Sequence, residues 1–131
     1  MALSSSTVYE VRTTGNDTNG GGFVTGASGS DYSQQDAKNT VGSDISTTDA
    51  VANGTTTITS ATANFGTTIV GNIIYLQGGT GALAATRRQV TARASTTSIT
   101  VDASVATGTG ITMNIGGALA SLGEAGRTAA T

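Results

Sequence analysis

The sequence has no cysteine, histidine, proline or tryptophan. Without cysteine the chain cannot form disulfides or thiolate sites, and without histidine it cannot carry a Ser-His-Asp triad or hold a metal through imidazole. Only 11% of the residues are charged and the net charge is −2, whereas nucleic-acid-binding proteins gather Lys and Arg on one face. No apolar run approaches the length of a membrane helix. Neither nucleic acid nor a membrane is therefore an expected partner.

Small and β-branched residues take the place of the missing types. The 131 residues include 19 glycines and 26 threonines, while aromatic residues make up only 4%. Threonine suits strands, because its branched Cβ stiffens the side chain on a pleated surface. Large apolar residues are few, so one domain of this length has a thin core and buries a modest share of its surface. The composition predicts one β domain, or one module of something longer, that gains stability from an oligomer, a lattice or the rest of a longer protein. We expect a homo-oligomer, with a trimer as one option.

The central stretch, residues 52–115, carries the strand pattern. Apolar residues alternate with Thr or Asn in segments such as Ile99-Thr100-Val101 and Ile111-Thr112-Met113-Asn114-Ile115, and glycine-rich turns separate the segments. Period-two alternation is typical of antiparallel strands with one buried face. The predicted core consists of Ile58, Phe65, Ile73, Tyr75, Val90, Ile99, Val101, Ile111, Met113 and Ile115. Of the adjacent Ile73 and Ile74, one is expected to face the core and the other a neighbour or solvent.

The predicted fold is mainly β: a small antiparallel β-barrel or sandwich with an extended N-terminal arm and a short C-terminal helical segment. Residues 1–51 form the first strand and the polar arm, 52–115 the compact module, and 116–131 the helical tail or the start of a continuation. Within the arm, Ser30 or Asp31 is a candidate cap for a short helical turn over Gln34–Lys38. In the tail, a short helix would place Ala118, Leu119 and Leu122 on one face. The arm has little apolar surface, so residues 26–49 are expected to order against another chain.

Carboxylates are the main candidates for chemistry. Asp31 with Asp36, and Asp44 with Asp49, are pairs of the kind that glycoside hydrolysis needs, but nothing in the pattern places either pair across a cleft. The stretch Asp17–Gly20 resembles the start of a calcium loop and lacks the remaining acidic ligands, so a side-chain-stabilised turn is the favoured interpretation. We therefore expect no catalytic residue, no metal site and no cofactor.

Two segments carry a resemblance to a known group of proteins. The first begins Val8-Tyr9-Glu10-Val11-Arg12-Thr13-Thr14-Gly15-Asn16-Asp17-Thr18-Asn19-Gly20-Gly21-Gly22-Phe23 and continues through Ser30–Ala37. The second is Ile115-Gly116-Gly117-Ala118-Leu119-Ala120-Ser121-Leu122. Together they resemble the N-terminal region of large virion proteins of tailed bacteriophages. In those proteins a small β module similar to residues 55–101 lies between the segments, and a right-handed parallel β-helix often follows.

The resemblance covers most of the chain and implies an attachment or decoration module, assembled in the bacterial cytoplasm and located in the virion. The given sequence ends where the β-helix would begin, so no sugar-cleaving or receptor-binding activity is carried over. The leading hypothesis is a non-enzymatic capsid decoration or cement protein that binds a major capsid or tail protein. The alternatives are the anchor domain of a tail fibre or tailspike, a carbohydrate-binding module, and an enzyme acting on glycans.

Interface residues are predicted from side-chain type, because aromatic residues carry much of the energy of protein interfaces. The candidates are Phe23, Tyr32, Gln34, Gln35, Arg87 and Arg88. Arg87, Arg88 and Arg93 are close together in sequence, and the simpler interpretation of this group is a solvated or salt-bridged strand face.

Overall fold

A computed structural model describes residues 6–34, 40–41 and 44–130 of the chain. Nine strands and one helix lie within these ranges: β1 (Thr7–Tyr9), β2 (Gly22–Val24), β3 (Thr40–Val41), β4 (Asp44–Ala52), β5 (Thr57–Thr59), β6 (Ile73–Gly78), β7 (Leu83–Ser95), β8 (Ser98–Val101), β9 (Gly108–Ile115) and α1 (Leu122–Ala130). The mainly β prediction is confirmed. No helix in the described part of the chain combines the length and apolar character needed to cross a membrane.

Six strands close into an antiparallel barrel. Their order is β4-β5-β8-β7-β6-β9, and β9 pairs back onto β4 from Ile45↔Ile115 to Ala52↔Gly108. The two-residue β3 pairs in antiparallel fashion with the first two residues of β4. Closure pairs strand edges that would otherwise be exposed for aggregation. Of the two architectures that the alternation allowed, the structure is the barrel.

The barrel interior is the main core, and all ten predicted core residues are buried. Eight of them lie inside the barrel, together with residues that the alternation did not single out, among them Ile45, Ile69 and Leu76. Ile73 and Tyr75 are the other two. They alternate with Ile74 and Leu76 along β6 and therefore face outward.

The outer face of β6 is covered by the chain's own N-terminal segment. A Cβ added at Gly22 would be 3.1 Å from Cγ1 of Ile73, so the backbone of β2 lies directly on that side chain. Ile73 and Ile74 are both fully buried. The expectation that one of the two faces solvent or a neighbouring molecule is therefore wrong: β6 is buried on both faces, and this chain supplies both layers.

The N-terminal segment, residues 6–34, folds back on the barrel. Its strands β1 and β2 form a two-stranded antiparallel sheet, and Val24 of β2 donates its backbone N–H to the carbonyl of Gly71 (2.9 Å). Residues 44–52 also belong to the barrel, because they form β4. Among the described residues, the compact module thus begins before residue 52 and the polar arm is shorter than expected. The helical turn predicted over Gln34–Lys38 falls mainly outside the described residues.

The C-terminal helix begins later than the apolar spacing suggested. Ala118 and Leu119 precede α1 in extended chain and are fully buried, while Leu122 is 80% exposed. The predicted shared helical face is therefore wrong, although the short C-terminal helix itself is present. Ser121 caps α1, and its hydroxyl accepts the backbone N–H of Glu124 (3.1 Å).

Candidate interaction surface

Phe23 and Tyr32, two of the predicted interface residues, lie against the same loop, residues 66–72. Gly71 has a φ of 97°, and a Cβ there would be 2.8 Å from Cε2 of Phe23, so the ring rests on this glycine. The Tyr32 hydroxyl hydrogen-bonds the Thr68 hydroxyl. Both rings are half-buried and so present part of their surface to solvent. We call Phe23, Tyr32 and the uncharged loop 66–72 the aromatic patch.

Asn72 holds the aromatic patch in place. Its side chain is fully buried, and its Oδ1 accepts the backbone N–H of Tyr32 at 3.0 Å. Its Nδ2 donates to the carbonyl of Ser30 at 2.8 Å and to that of Ile69 at 3.0 Å. One side chain therefore bridges the loop and the segment that carries Tyr32. Because a buried amide is costly to leave unpaired, this arrangement fixes the path of residues 30–32.

Arg87 lies inside a polar contact that joins three parts of the chain. Its side chain is 7% exposed, and its Nη1 donates to Oε1 of Glu124 at 2.5 Å. Its Nη2 donates to the carbonyls of Asp17 (2.7 Å) and Asn19 (3.0 Å), and its guanidinium carbon is 5.0 Å from the centre of the Tyr75 ring. We call these five residues the Arg87 clasp. It joins β7, the N-terminal segment and α1, so Arg87 does not lie on the exposed surface as an interface residue would.

Asp17 extends the clasp to the start of α1. Its Oδ1 accepts the backbone N–H groups of Ala120 (2.8 Å) and Ser121 (2.9 Å), and its Oδ2 accepts the Ser121 hydroxyl (2.9 Å). Burial by itself raises the pKa of Asp17, but these hydrogen bonds and Arg87 outweigh it and leave the pKa below its usual value. A carboxylate at a helix N-terminus is also favoured by the helix dipole.

Two other groups of the clasp region have shifted pKa values. Burial raises the pKa of Glu124, but hydrogen bonds and charge from Arg127 and Arg87 outweigh it, and the pKa is lowered overall. Burial raises the pKa of Tyr9 to about 12, against an opposing effect of Arg87. The region is thus a charged network whose carboxylates are held ionised.

The remaining predicted interface residues are placed differently. Arg88 pairs with Ile74 across β6 and β7 and therefore shares the inner face, from which its Nη2 reaches the carbonyl of Ser104 at 3.2 Å. Gln34 is exposed, and its side chain donates to Oδ2 of Asp31 at 3.3 Å. Gln35 lies outside the described residues. Gln34 is thus the one polar candidate with an exposed described position, near Tyr32 in the chain.

The carboxylates considered for catalysis or metal binding have structural contacts. Asp31 accepts the backbone N–H of Ser33 (2.9 Å), and Asp49 accepts the Ser60 hydroxyl (2.5 Å) and the N–H of Thr62 (3.0 Å). Their proposed mates, Asp36 and the side chain of Asp44, lie outside the described part. Among the described residues no group of three or more His, Cys, Asp or Glu is placed to hold a metal ion.

Sequence reasoning missed the residues that organise this surface. Asn72 carries no sequence signal for its bridging role, because two of its partners, Ser30 and Tyr32, are about 40 residues away. Asp17 was read as part of a turn, although its partners, Ala120 and Ser121, lie more than 100 residues further on. The Ser-x-x-Glu spacing of Ser121 and Glu124 is a helix-start signal that could have located the N-terminus of α1.

Comparisons of the chain with protein-family models, with curated proteins and with solved structures find no match. The basis for the function proposed below is therefore the resemblance described in the sequence analysis, together with the geometry of the residues that carry it.

Proposed function

We propose that this chain is a non-enzymatic structural protein of a bacteriophage virion, a capsid decoration or cement protein that binds the assembled head. The observation that carries the proposal is the meeting of the two segments with the virion-protein resemblance. Gly20 and Gly21 donate their backbone N–H groups to the carbonyls of Gly116 (3.1 Å) and Gly117 (3.0 Å). In the opposite direction, Leu119 donates its backbone N–H to the carbonyl of Glu10 at 2.9 Å. The described parts of the two resembling segments therefore lie together in space, and most of the barrel lies between them in sequence.

The close packing of this unit explains its unusual composition. A Cβ at Gly15 would be 2.2 Å from the carbonyl oxygen of Leu119, and one at Gly20 would be 2.1 Å from that of Ile73. Any side chain at these positions would force the backbones apart. The Gly-rich motif is thus a requirement for docking the terminal segments on the barrel, which supports a shared structural role over a shared catalytic one.

The aromatic patch is the proposed contact with the capsid or tail protein. Phe23 and Tyr32 are partly exposed and lie against the uncharged loop 66–72. The buried Asn72 of that loop accepts the backbone N–H of Tyr32. Ordered aromatic residues lose little conformational entropy on binding and commonly dominate interfaces. Gln34 and Gln35 follow Tyr32 in the chain and are proposed to extend this contact. The virion is the proposed location, and the assembly is proposed to contain symmetric copies of the chain.

The second candidate is the anchor domain of a tail fibre or tailspike. It is favoured by the placement of the second segment, which leaves the barrel at Ile115 and leads through the buried Leu119 into α1. In the resembling proteins this is where a β-helix follows. A carbohydrate-binding module is less well supported, because Tyr75 is buried under Arg87 and the Tyr9 hydroxyl is buried. These two rings are therefore poor candidates for a sugar-stacking platform.

The test is the copy number of the chain in purified particles, measured by quantitative mass spectrometry. Hundreds of copies per particle support decoration of the head, a few to a few dozen support the tail, and absence from particles rejects both. Binding of purified chain to preformed shells then tests the aromatic patch. Phe23→Ala with Tyr32→Ala should reduce binding by at least about tenfold, since interface aromatics are frequent hot spots. Thr59→Ala, exposed on β5, is the matched control and should bind as the wild type does.

A further inference from the structure

Within the described ranges, no strand pairs with the outer edge of β1. In the β1–β2 pair, Glu10 donates its N–H to the carbonyl of Gly21 (3.0 Å) and Thr25 donates to that of Ser6 (3.1 Å). Hydrogen-bonded and non-hydrogen-bonded pairs alternate along an antiparallel ladder, so Val8↔Phe23 is the hydrogen-bonded pair between these two. The N–H and C=O groups of Thr7 and Tyr9 therefore point away from β2, and β2 is the one strand paired with β1 among the described residues.

Val8 lies between these outward-pointing groups. Its side chain is 53% exposed, and it is one of two large apolar side chains that are exposed in the described part of the chain. Val8 alternates with Thr7 and Tyr9, whose side chains are half-buried on the opposite face. All three residues favour strands, and none is a charge or a proline that would protect an edge. The edge thus combines free backbone groups with a solvent-exposed apolar residue.

We infer that β1 is a self-association surface, on which a second copy of this chain adds its own β1 in antiparallel register. A two-fold axis between the two Val8 residues would pair Thr7 of the first copy with Tyr9 of the second, and Tyr9 of the first with Thr7 of the second. Because the backbone groups of both residues point outward, the pairing forms four intermolecular hydrogen bonds. It also places the two exposed Val8 side chains opposite each other and turns two two-stranded sheets into one four-stranded sheet.

The chain limits how far the pairing extends. β1 ends at Tyr9, and beyond it the chain pairs with Leu119, which donates to the carbonyl of Glu10 and accepts the N–H of Arg12, each at 2.9 Å, on the side that faces β2. The contact is therefore confined to residues 6–10. In the same register Glu10 faces Ser6 of the second copy, so no like charges are opposed. A contact of this length buries less area than a standard interface, and its affinity is correspondingly low in dilute solution.

This inference deepens the homo-oligomer of the proposed function by naming its contact and a two-fold symmetry. The chain has no cysteine, so Val8→Cys introduces a single thiol. In a non-hydrogen-bonded antiparallel pair the Cβ atoms are about 4.5–5.5 Å apart, close to the span of a disulfide. Under mild oxidation of the purified chain, Val8→Cys should form disulfide dimers at least about tenfold faster than Leu122→Cys, since a preformed contact raises the effective thiol concentration. Leu122 is the matched control, being 80% exposed and apolar but outside the edge.

A second variant separates strand pairing from random collision. Thr7→Pro removes an outward N–H without removing a β1–β2 hydrogen bond, so the double variant Thr7→Pro/Val8→Cys should cross-link at the rate of Leu122→Cys while keeping the wild-type circular dichroism. If that variant fails to fold, the wild type and Val8→Lys are compared by sedimentation velocity at high concentration. The wild type should then sediment as a dimer and Val8→Lys as a monomer. Equal rates for Val8→Cys and Leu122→Cys, cross-linking that survives Thr7→Pro, or a wild-type trimer unaffected by Val8→Lys would overturn the inference. None of these results bears on the copy number in particles, so the two proposals fail separately.

Discussion

Arg87 of β7 and Glu124 of α1 form an ion pair with an Nη1–Oε1 distance of 2.5 Å, and the two side chains are only 7% and 16% exposed. The residues are 37 positions apart and belong to different layers of the molecule. Arg127 contacts the same carboxylate from the exposed side. Removing Arg87 takes the buried partner from Glu124 and leaves the exposed contact with Arg127, so much of the charge compensation inside the fold is lost.

Replacing Arg87 should destabilise the protein strongly. Arg87→Met keeps much of the side-chain volume but removes the donor from Oε1 of Glu124 and from the carbonyls of Asp17 and Asn19. We expect the free energy of unfolding to fall by about 3 kcal/mol, in the range for breaking a buried pair. Urea unfolding measures the change, and Arg127→Gln is the control, because that guanidinium is solvent-exposed and its loss should have little effect. Equal effects of the two substitutions would contradict the assigned role of Arg87.

Acid should destabilise the protein through the carboxylates of the clasp. Asp17 and Glu124 have folded-state pKa values below their usual values. A carboxylate with a lowered pKa contributes stability that is fully present above its unfolded pKa, about 4, and is lost as the pH falls through the folded pKa. Urea unfolding at a series of pH values should therefore show stability falling below about pH 4. Asp17→Asn should flatten that fall, and an unchanged pH dependence in this variant would show that Asp17 does not contribute.

Ile73 and Ile74 should be about equally sensitive to truncation. They face opposite sides of β6, yet both are fully buried, one under β2 and the other in the barrel. Ile73→Ala and Ile74→Ala are each expected to lower the free energy of unfolding by about 2–5 kcal/mol, and Phe65→Ala by about 3–5 kcal/mol. Chemical denaturation measures all three. A cost for Ile73→Ala well below that for Ile74→Ala would mean that the N-terminal segment does not cover β6 in solution.

Removing the Asn72 side chain should release the segment that carries Tyr32. Asn72→Ala removes the side-chain partner of the Tyr32 N–H and of the Ser30 carbonyl, while the Ile69 carbonyl keeps the backbone N–H of residue 72. We expect the free energy of unfolding to fall by about 2–4 kcal/mol. Hydrogen exchange of the purified chain should show faster exchange at the Tyr32 amide in this variant. Asn53→Ala, at an exposed turn position, is the control. If residues 30–34 exchange equally fast in the wild type and in Asn72→Ala, the segment is not held by Asn72, and the earlier expectation that it orders only against another chain gains support.

Much of the barrel could be predicted from the chain itself. Alternation of Ile, Val and Met with Thr and Asn identified the central strands and ten core residues, because side-chain direction along a strand depends on local geometry alone. Glycine-rich turns separated these strands. These features are properties of consecutive residues, so the sequence carries them without reference to the fold.

The contacts that shape the surface were decided by tertiary structure. Alternation shows that Ile73 and Ile74 face opposite sides, but not that both sides are covered. Residue type does not show that Arg87 is buried against Glu124 on the outer face of the barrel. It also does not show that Phe23 and Tyr32 pack on the loop that contains Asn72. Each of these depends on residues distant in sequence meeting in space, and no local propensity encodes such a meeting. The sequence by itself determined that the chain forms β-strands with alternating faces. Only the folded arrangement determined which faces water reaches, because burial depends on what packs on top.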